Sequence, residues 1–168
     1  MEGVLWFEAQ LPNDFIPQFC ILDPFRGMRC IDMAQHTMPS VAEKGGAWIF
    51  GGDVCIRRVD AEETSIAVGE SDDGTQFFPF SIWLERRVFS DDRRISAHRG
   101  PTAIGHLQQQ QQQQQQRIRL RLAVTQAELR TRWCKAFEDV CLLQDYLYAC
   151  MECGATPSLQ LFRALTFD

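Results

Sequence analysis

Two adjoining stretches decide the fold: RIRLRLAV at 117–124 and TQAELRTRWCKAFEDVCLLQDYLYAC at 125–150. In the first stretch apolar side chains alternate with arginines, which is the period of a strand with one buried face. The predicted buried positions are Ile118, Leu120, Leu122 and Val124, and the predicted exposed positions are Arg117, Arg119 and Arg121. Because an amphipathic strand is not stable alone, the pattern predicts a sheet beside it.

The period changes at Thr125, where the second stretch begins. Thr125 and Glu128 match a Thr-x-x-Glu capping box, which predicts the start of a helix. Apolar residues then recur at spacings of four and three, from Leu129 through Trp133 to Cys150. The spacing predicts one long amphipathic helix with Trp133 on its buried face, ending near Gly154.

Strand patterns also precede these two stretches, separated by turn signals such as Gly51-Gly52-Asp53. The predicted strands are residues 3–10, 16–23, 27–33, 47–50, 54–59 and 76–84, with a short additional strand allowed at 65–68. Pro79 predicts that its strand lies at an edge or contains a bulge. The sequence therefore predicts a mainly β protein: seven strands in a sandwich or barrel, with one C-terminal α-helix that closes an open end.

The character of the chain changes between residues 85 and 116. The segment is first rich in charge and then ends in a run of glutamines, Gln108 to Gln116. A polyglutamine run has no apolar face that would offset the entropy lost on ordering. We therefore predict a long, mostly disordered low-complexity loop at 85–116 within a domain spanning residues 3–150. Residues 151–168 form a short C-terminal tail, which either folds back on the domain or helps to bind a partner.

Composition narrows the class of function. The formal net charge of −5 gives no overall attraction to nucleic acid, and no apolar window is long enough for a transmembrane span. The N-terminus, MEGVLWFEAQ, lacks the basic start of a secretory signal. Most of the seven cysteines lie among apolar residues (Cys20, Cys30, Cys55, Cys134 and Cys141), which is typical of reduced core thiols. We therefore expect a cytoplasmic protein.

The order of these elements resembles a pleckstrin homology (PH) domain. In that family seven antiparallel strands form two nearly orthogonal sheets, and a C-terminal helix covers one corner. GVLW at 3–6 is similar to the first strand, PQFCILDP at 17–24 to the second, and KGGAWIFGGDVCIRRV at 44–59 to the fourth and fifth. RLRLAVTQAELRTRWCKAF at 119–137 resembles the last strand and the helix, with Trp133 as the hallmark tryptophan. The resemblance covers residues 3–150 and implies a non-enzymatic interaction module.

One departure from the family bears on lipid binding. PH domains that bind phosphoinositides carry basic residues across the first two strands, whereas EAQLPNDFIPQFC at 8–20 has no Lys or Arg. Glu8 and Asp14 are present instead, and a phosphate cluster needs converging cations. The resemblance therefore implies a module that binds a protein partner, with at most weak affinity for anionic lipid.

Arginines of the expanded loop are the candidate ligand-binding residues. They are Arg86, Arg87, Arg93, Arg94 and Arg99, with Arg117 where the loop ends. Guanidinium groups bind phosphate and carboxylate through paired donors, so these residues predict contact with an anionic headgroup or an acidic partner. A peripheral membrane protein that binds phosphoinositide or other anionic lipid through them is the first alternative function. A solvated loop, balanced by Glu85, Asp91 and Asp92, is the structural alternative.

Other patterns predict no catalytic residue, metal site or cofactor. Cys150-Met-Glu-Cys153 is a single Cys-x-x-Cys pair, and a structural zinc site needs four ligands. The acids between Asp60 and Asp73 have no regular spacing and are predicted to lie in a solvated loop. No glycine-rich phosphate loop or nucleophile elbow is present. A small β-barrel carrier of an apolar ligand, which requires an open interior, is the second alternative function.

Overall fold

The computed structural model describes residues 1–32, 47–68, 74–87, 117–158 and 160. Its strands are β1 (Glu2–Glu8), β2 (Phe15–Asp23), β3 (Gly27–Asp32), β4 (Ala47–Phe50), β5 (Val54–Ala61), β6 (Ile66–Val68), β7 (Thr75–Arg86) and β8 (Arg117–Val124). The helix is α1 (Ala127–Cys153). The predicted fold class, mainly β with one C-terminal helix, is confirmed. The allowed short strand at 65–68 is present as β6.

The strands form an antiparallel sheet in the order β4-β3-β2-β1-β8-β7-β5, with β6 paired to β7. β4 and β5 follow each other in the chain but occupy opposite ends of this order. They are joined by a tight turn with a single bridge between Gly51 and Val54. The two halves of the sheet share one buried core, so the sheet folds over on itself, consistent with a PH-like sandwich.

Pro79 lies at a gap in the pairing of β7, where the four residues 62–65 face only two residues of β7. β7 is not an edge strand, but its pairing is irregular at Pro79, as the alternative prediction of a bulge requires. On one side β8 pairs Pro79 with Ala123. On the other side the pairing of β5 ends opposite Phe80, and the pairing of β6 begins opposite Phe77. In this gap the Pro79 carbonyl accepts a hydrogen bond from the Glu62 N–H at 3.2 Å. The missing proline N–H therefore costs no ladder hydrogen bond.

The start of α1 differs from the sequence prediction, and its end agrees. The N-cap is Gln126, whose side chain makes no capping hydrogen bond, so the capping box of Thr125 and Glu128 is wrong. The helix begins one residue later than that box requires, which places Glu128 at the second helical position instead of the third. At the other end Gly154 adopts the left-handed conformation with φ 69°, as its position predicted.

Trp133 lies at the centre of the core, as predicted, beside Phe137. Trp133 is 1% exposed, and its ring stacks on that of Phe137 with the centroids 5.6 Å apart. The ring of Phe137 also lies 6.0 Å from that of Phe80 on β7. β1 lies directly against the indole, since a Cβ at Gly3 would be in ordinary van der Waals contact with the Trp133 ring at 3.6 Å. The helix therefore closes the sandwich by filling its interior with aromatic rings.

All seven cysteines lie in the described residues as free thiols. Four of the five predicted core thiols are buried, and Cys141 is half-buried. Cys20 and Cys30 are direct cross-strand partners on β2 and β3, with their sulfurs 2.6 Å apart. A hydrogen bond between the two thiols and burial both raise the pKa of Cys20. The Cys20 thiol is therefore held in the protonated form.

Candidate functional site

Among the strands that the structure describes, the N-terminal half of β8 has a partner on one side only. Along its whole length β8 pairs with β7, from Arg117 opposite Glu85 to Val124 opposite Phe78. On its other side it pairs with β1 only through Ala123 and Leu122. Beyond these two positions β1 diverges, so residues 117–121 form an open edge towards β1. We call these residues the β8 edge.

Pro79 determines which backbone groups the β8 edge presents. Because Pro79 has no N–H and its carbonyl is bonded to Glu62, its pair with Ala123 exchanges no hydrogen bonds. Hydrogen-bonded and non-bonded pairs alternate along an antiparallel ladder, and the register of β7 and β8 is continuous. Every second residue before Ala123 therefore turns its N–H and C=O away from β7. These residues are Arg117, Arg119 and Arg121.

The side chains of the β8 edge divide between two faces. The three arginines lie on the outer face of the sheet, and Ile118 and Leu120 lie on the core side. Leu122 and Val124 are buried as predicted, but Ile118 is 55% exposed, so its predicted burial is wrong. The cause is the divergence of β1, which leaves Ile118 without cover from that strand.

An open cleft of about 250 Å³ lies where β1 and β8 separate. Phe7, Glu8 and Ala9 form one wall, and Arg119, Leu120 and Arg121 form the other. The wall on the β1 side continues into the β1–β2 turn, where the Ala9 N–H donates to the Asp14 carbonyl at 2.7 Å. One wall of the cleft is therefore held in place by the pairing of β1 with β2, and the other by the pairing of β8 with β7.

Arg121 fixes the inner end of the cleft. Its guanidinium lies 2.5 Å from Glu8 Oε1 and 2.7 Å from Glu62 Oε2, and it donates to Asn13 Oδ1 at 3.0 Å. The hydrogen bond with Glu62 raises the pKa of Arg121, and the same bond lowers the pKa of Glu62. The prediction that Glu62 lies in a solvated loop is wrong, because Arg121 and the Glu62 N–H bond to Pro79 hold this residue against the sheet.

Arg117 and Arg119 are more loosely held than Arg121. The Arg119 side chain is 51% exposed and lies 3.5 Å from Glu62 Oε1, with its guanidinium 5.6 Å from the Trp83 ring. The Arg117 side chain is 67% exposed and lies 3.3 Å from Glu85 Oε1. Exposed ion pairs of this kind contribute little, and a guanidinium has five N–H donors. Both side chains therefore retain donors for a further carboxylate.

The structure separates the predicted ligand-binding arginines. Arg86 is exposed and pairs with Asp53 at 2.5 Å, whereas the Arg87 side chain is 7% exposed. Arg87 binds Asp145 and the Gln144 carbonyl of α1, and its guanidinium lies 4.6 Å from the Tyr148 ring. Arg87 therefore fastens the end of β7 to the helix. Arg86 and Arg117 lie at the adjoining ends of β7 and β8.

The other three predicted ligand-binding residues, Arg93, Arg94 and Arg99, lie outside the described residues. The sequence reasoning missed the site formed by the β8 edge and the cleft. The arginine stripe was recognised, but its position beside an unpaired edge depends on where β1 leaves β8. The turn signal Pro12-Asn13-Asp14 is the sequence feature that ends β1 and β2 at this point, although it does not reveal the register with β8.

The described residues contain no group of three or more potential metal ligands. Cys150 is buried and Cys153 exposed at the end of α1, and the Cys153 thiol contacts the Cys150 carbonyl at 3.6 Å. Within the same residues no helix has the length and apolar character needed to cross a bilayer. Comparison of the chain with protein-family models, curated proteins and solved structures finds no match.

Proposed function

We propose that this chain is a non-enzymatic interaction module with a PH-like fold, which binds a protein partner and has at most weak affinity for anionic lipid. The observation that supports the proposal is the β8 edge beside the open cleft. Unpaired strand edges present backbone donors and acceptors that an extended segment satisfies when it adds as a further strand. The partner would supply such a segment.

The β8 edge is a preorganised surface. Its other side is paired with β7 without a register shift, and Arg121 ties it to β1 and to the residue that follows β5. A binding surface that is already ordered loses little entropy when a partner arrives. These contacts therefore support the proposal that the edge is a platform for binding.

A substitution at Arg119 tests the mode of binding. Arg119→Pro removes the N–H that faces the open side but no hydrogen bond to β7, whereas Arg119→Ala removes only the side chain. Proteins captured from a cell extract would be identified by mass spectrometry, purified, and titrated against both variants by calorimetry. Loss of one backbone hydrogen bond predicts that Arg119→Pro binds about twofold to tenfold more weakly than Arg119→Ala. Equal affinities, with equal melting temperatures, would contradict binding at the edge.

Vesicle flotation tests the second half of the proposal. Glu8 lies on the cleft wall and binds Arg121, so the site has no concentration of unpaired positive charge at the β1–β2 turn. We expect weak recovery with phosphoinositide-containing vesicles and no selectivity among headgroups. Strong recovery that depends on the headgroup would overturn the assignment to protein binding.

Binding of anionic lipid is the second candidate, favoured by one observation. Arg86 and Arg117 are exposed and lie at adjoining strand ends. Two variants test this candidate: one replaces Arg86 and Arg117 by Ala, and the other replaces Arg93, Arg94 and Arg99 by Ala. Either variant should then abolish vesicle binding without changing thermal stability. Arg58→Ala is the control, because Arg58 is an equally exposed arginine on β5.

The carrier alternative gains no support from the described core. That function requires an open interior, and the interior is filled by Trp133, Phe137 and Phe80. The free, mostly buried thiols agree with the proposal of a cytoplasmic location. Contact with a membrane surface would follow only from the lipid-binding candidate.

A further inference from the structure

We infer that the segment bound at the β8 edge alternates acidic and apolar residues. This inference rests on the proposed function, since it specifies the partner of the same site. The residues that offer backbone groups to the open side also carry arginine side chains on the outer face. The residues between them, Ile118 and Leu120, direct apolar side chains towards the other face. Basic and apolar side chains therefore alternate along the edge, with a repeat of two residues.

The period of the edge determines the period of its partner. Residues directly opposite each other on neighbouring strands project from the same face of the sheet. A partner residue opposite Arg117 or Arg119 lies on the outer face, where a carboxylate meets a guanidinium. The neighbouring partner residues lie on the core side and meet Ile118 and Leu120. The five residues of the edge span about 13 to 17 Å, so a partner segment of about five residues covers it.

The charges already present refine this pattern. Arg121 is bound by the carboxylates of Glu8 and Glu62 within 2.7 Å, so a third carboxylate opposite it would be repelled. Arg117 and Arg119 each lie more than 3 Å from one partly exposed carboxylate. The partner segment should therefore carry acidic residues opposite Arg117 and Arg119, and a small neutral residue opposite Arg121.

The same charges disfavour a second copy of this chain as the occupant. Two β8 edges paired antiparallel about Arg119 would place Arg119 opposite Arg119 and Arg117 opposite Arg121. Like charges directly opposite each other destabilise a strand pair, and charged side chains on an edge prevent self-association. An acidic-apolar segment replaces this repulsion by attraction, so the arginines select against self-pairing and for the proposed partner.

A charge-swap experiment with defined peptides tests the inference. The probes are blocked, labelled peptides of sequence Ser-Glu-Val-Glu-Val-Ser and Ser-Lys-Val-Lys-Val-Ser, titrated to millimolar concentration against the full chain by NMR. The full chain should bind the glutamate peptide about tenfold or more tightly than the lysine peptide, with shifts at the Arg117, Arg119 and Arg121 amides. The double variant R117E/R119E should reverse the preference, and the control R58E should leave it unchanged.

Three outcomes would overturn the inference. They are equal binding of both peptides, binding without perturbation of the edge amides, and edge amides already protected from exchange in the free chain. In the last case another part of the chain already pairs with the edge, and the proposed function fails with the inference. Suppose that Arg119→Pro weakens the binding of a purified partner but R117E/R119E does not change the preference between the two peptides. The proposed function then stands, and the inference alone fails.

Discussion

Replacement of Trp133 by alanine tests whether the helix closes the fold through this residue. Trp133 is 1% exposed, stacks on Phe137 at 5.6 Å, and covers Gly3 on β1. The substitution therefore removes contacts between α1 and both the sheet and the rest of the aromatic core.

Burial of the indole determines how far the free energy of unfolding should fall in Trp133→Ala. A buried tryptophan covers about 150 to 250 Å², and at about 25 cal/mol per Å² its burial contributes about 4 to 6 kcal/mol. Measured Trp→Ala or Phe→Ala changes in cores cost about 3 to 5 kcal/mol, including the cavity that remains. We expect a loss within that second range, which is a large part of the free energy of unfolding of a typical domain.

Urea denaturation followed by circular dichroism measures this loss, with Trp48→Ala as a matched control. Trp48 lies on β4 and is 52% exposed, so the same chemical change removes about half as much burial and leaves no enclosed cavity. The free energy of unfolding should fall by at least about 2 kcal/mol more for Trp133→Ala than for Trp48→Ala. Equal losses in the two variants would show that the core does not depend on the helix tryptophan.

The remaining predictions concern a turn, a carboxylate and a thiol. Gly27→Ala should cost more than about 2 kcal/mol, because φ is +99° and the new Cβ would lie 2.1 Å from a β4 carbonyl. Gly52→Ala, with φ +64° and open space, should cost less in the same denaturation assay, and the reverse order would contradict the close approach. Glu62 has a lowered pKa in the folded protein, so its contribution is present at neutral pH and is lost on acidification. The unfolding free energy should therefore fall more for wild type than for Glu62→Gln between about pH 5 and 3, and parallel profiles would refute this. Iodoacetamide should modify the native Cys20 thiol far more slowly than Cys153 by peptide mapping, and equal rates would be inconsistent with its burial and raised pKa.

Local periodicity was sufficient to predict most of the fold. The alternation in β8 and the three-and-four spacing in α1 depend only on which face of each element is buried. The spacing of apolar residues in the sequence shows that face directly. The burial of Trp133 and the end of the helix at Gly154 follow from the same information. The helix start was predicted one residue early, since the observed N-cap is Gln126 and not Thr125.

The candidate site could not be predicted in the same way. Its open edge exists because β1 pairs with β8 at two positions and then leaves it, which is a property of register between strands more than 100 residues apart. The binding of Arg121 by Glu8 and Glu62 depends on the same long-range register. Arg87 resembled a loop ligand in sequence, and only its contacts with α1 show its architectural role.

The pairing of Glu85 with Arg117 also bears on how the length of this protein can vary. These residues are cross-strand partners, and Arg87 is fastened to α1, so both ends of segment 88–116 are held by the fold itself. For anchored ends, doubling the intervening length costs only about 0.6 kcal/mol of closure entropy. Glutamine repeats of different length at 108–116 should therefore leave the melting temperature almost unchanged. The same position should accept an inserted reporter domain whose own termini lie close together.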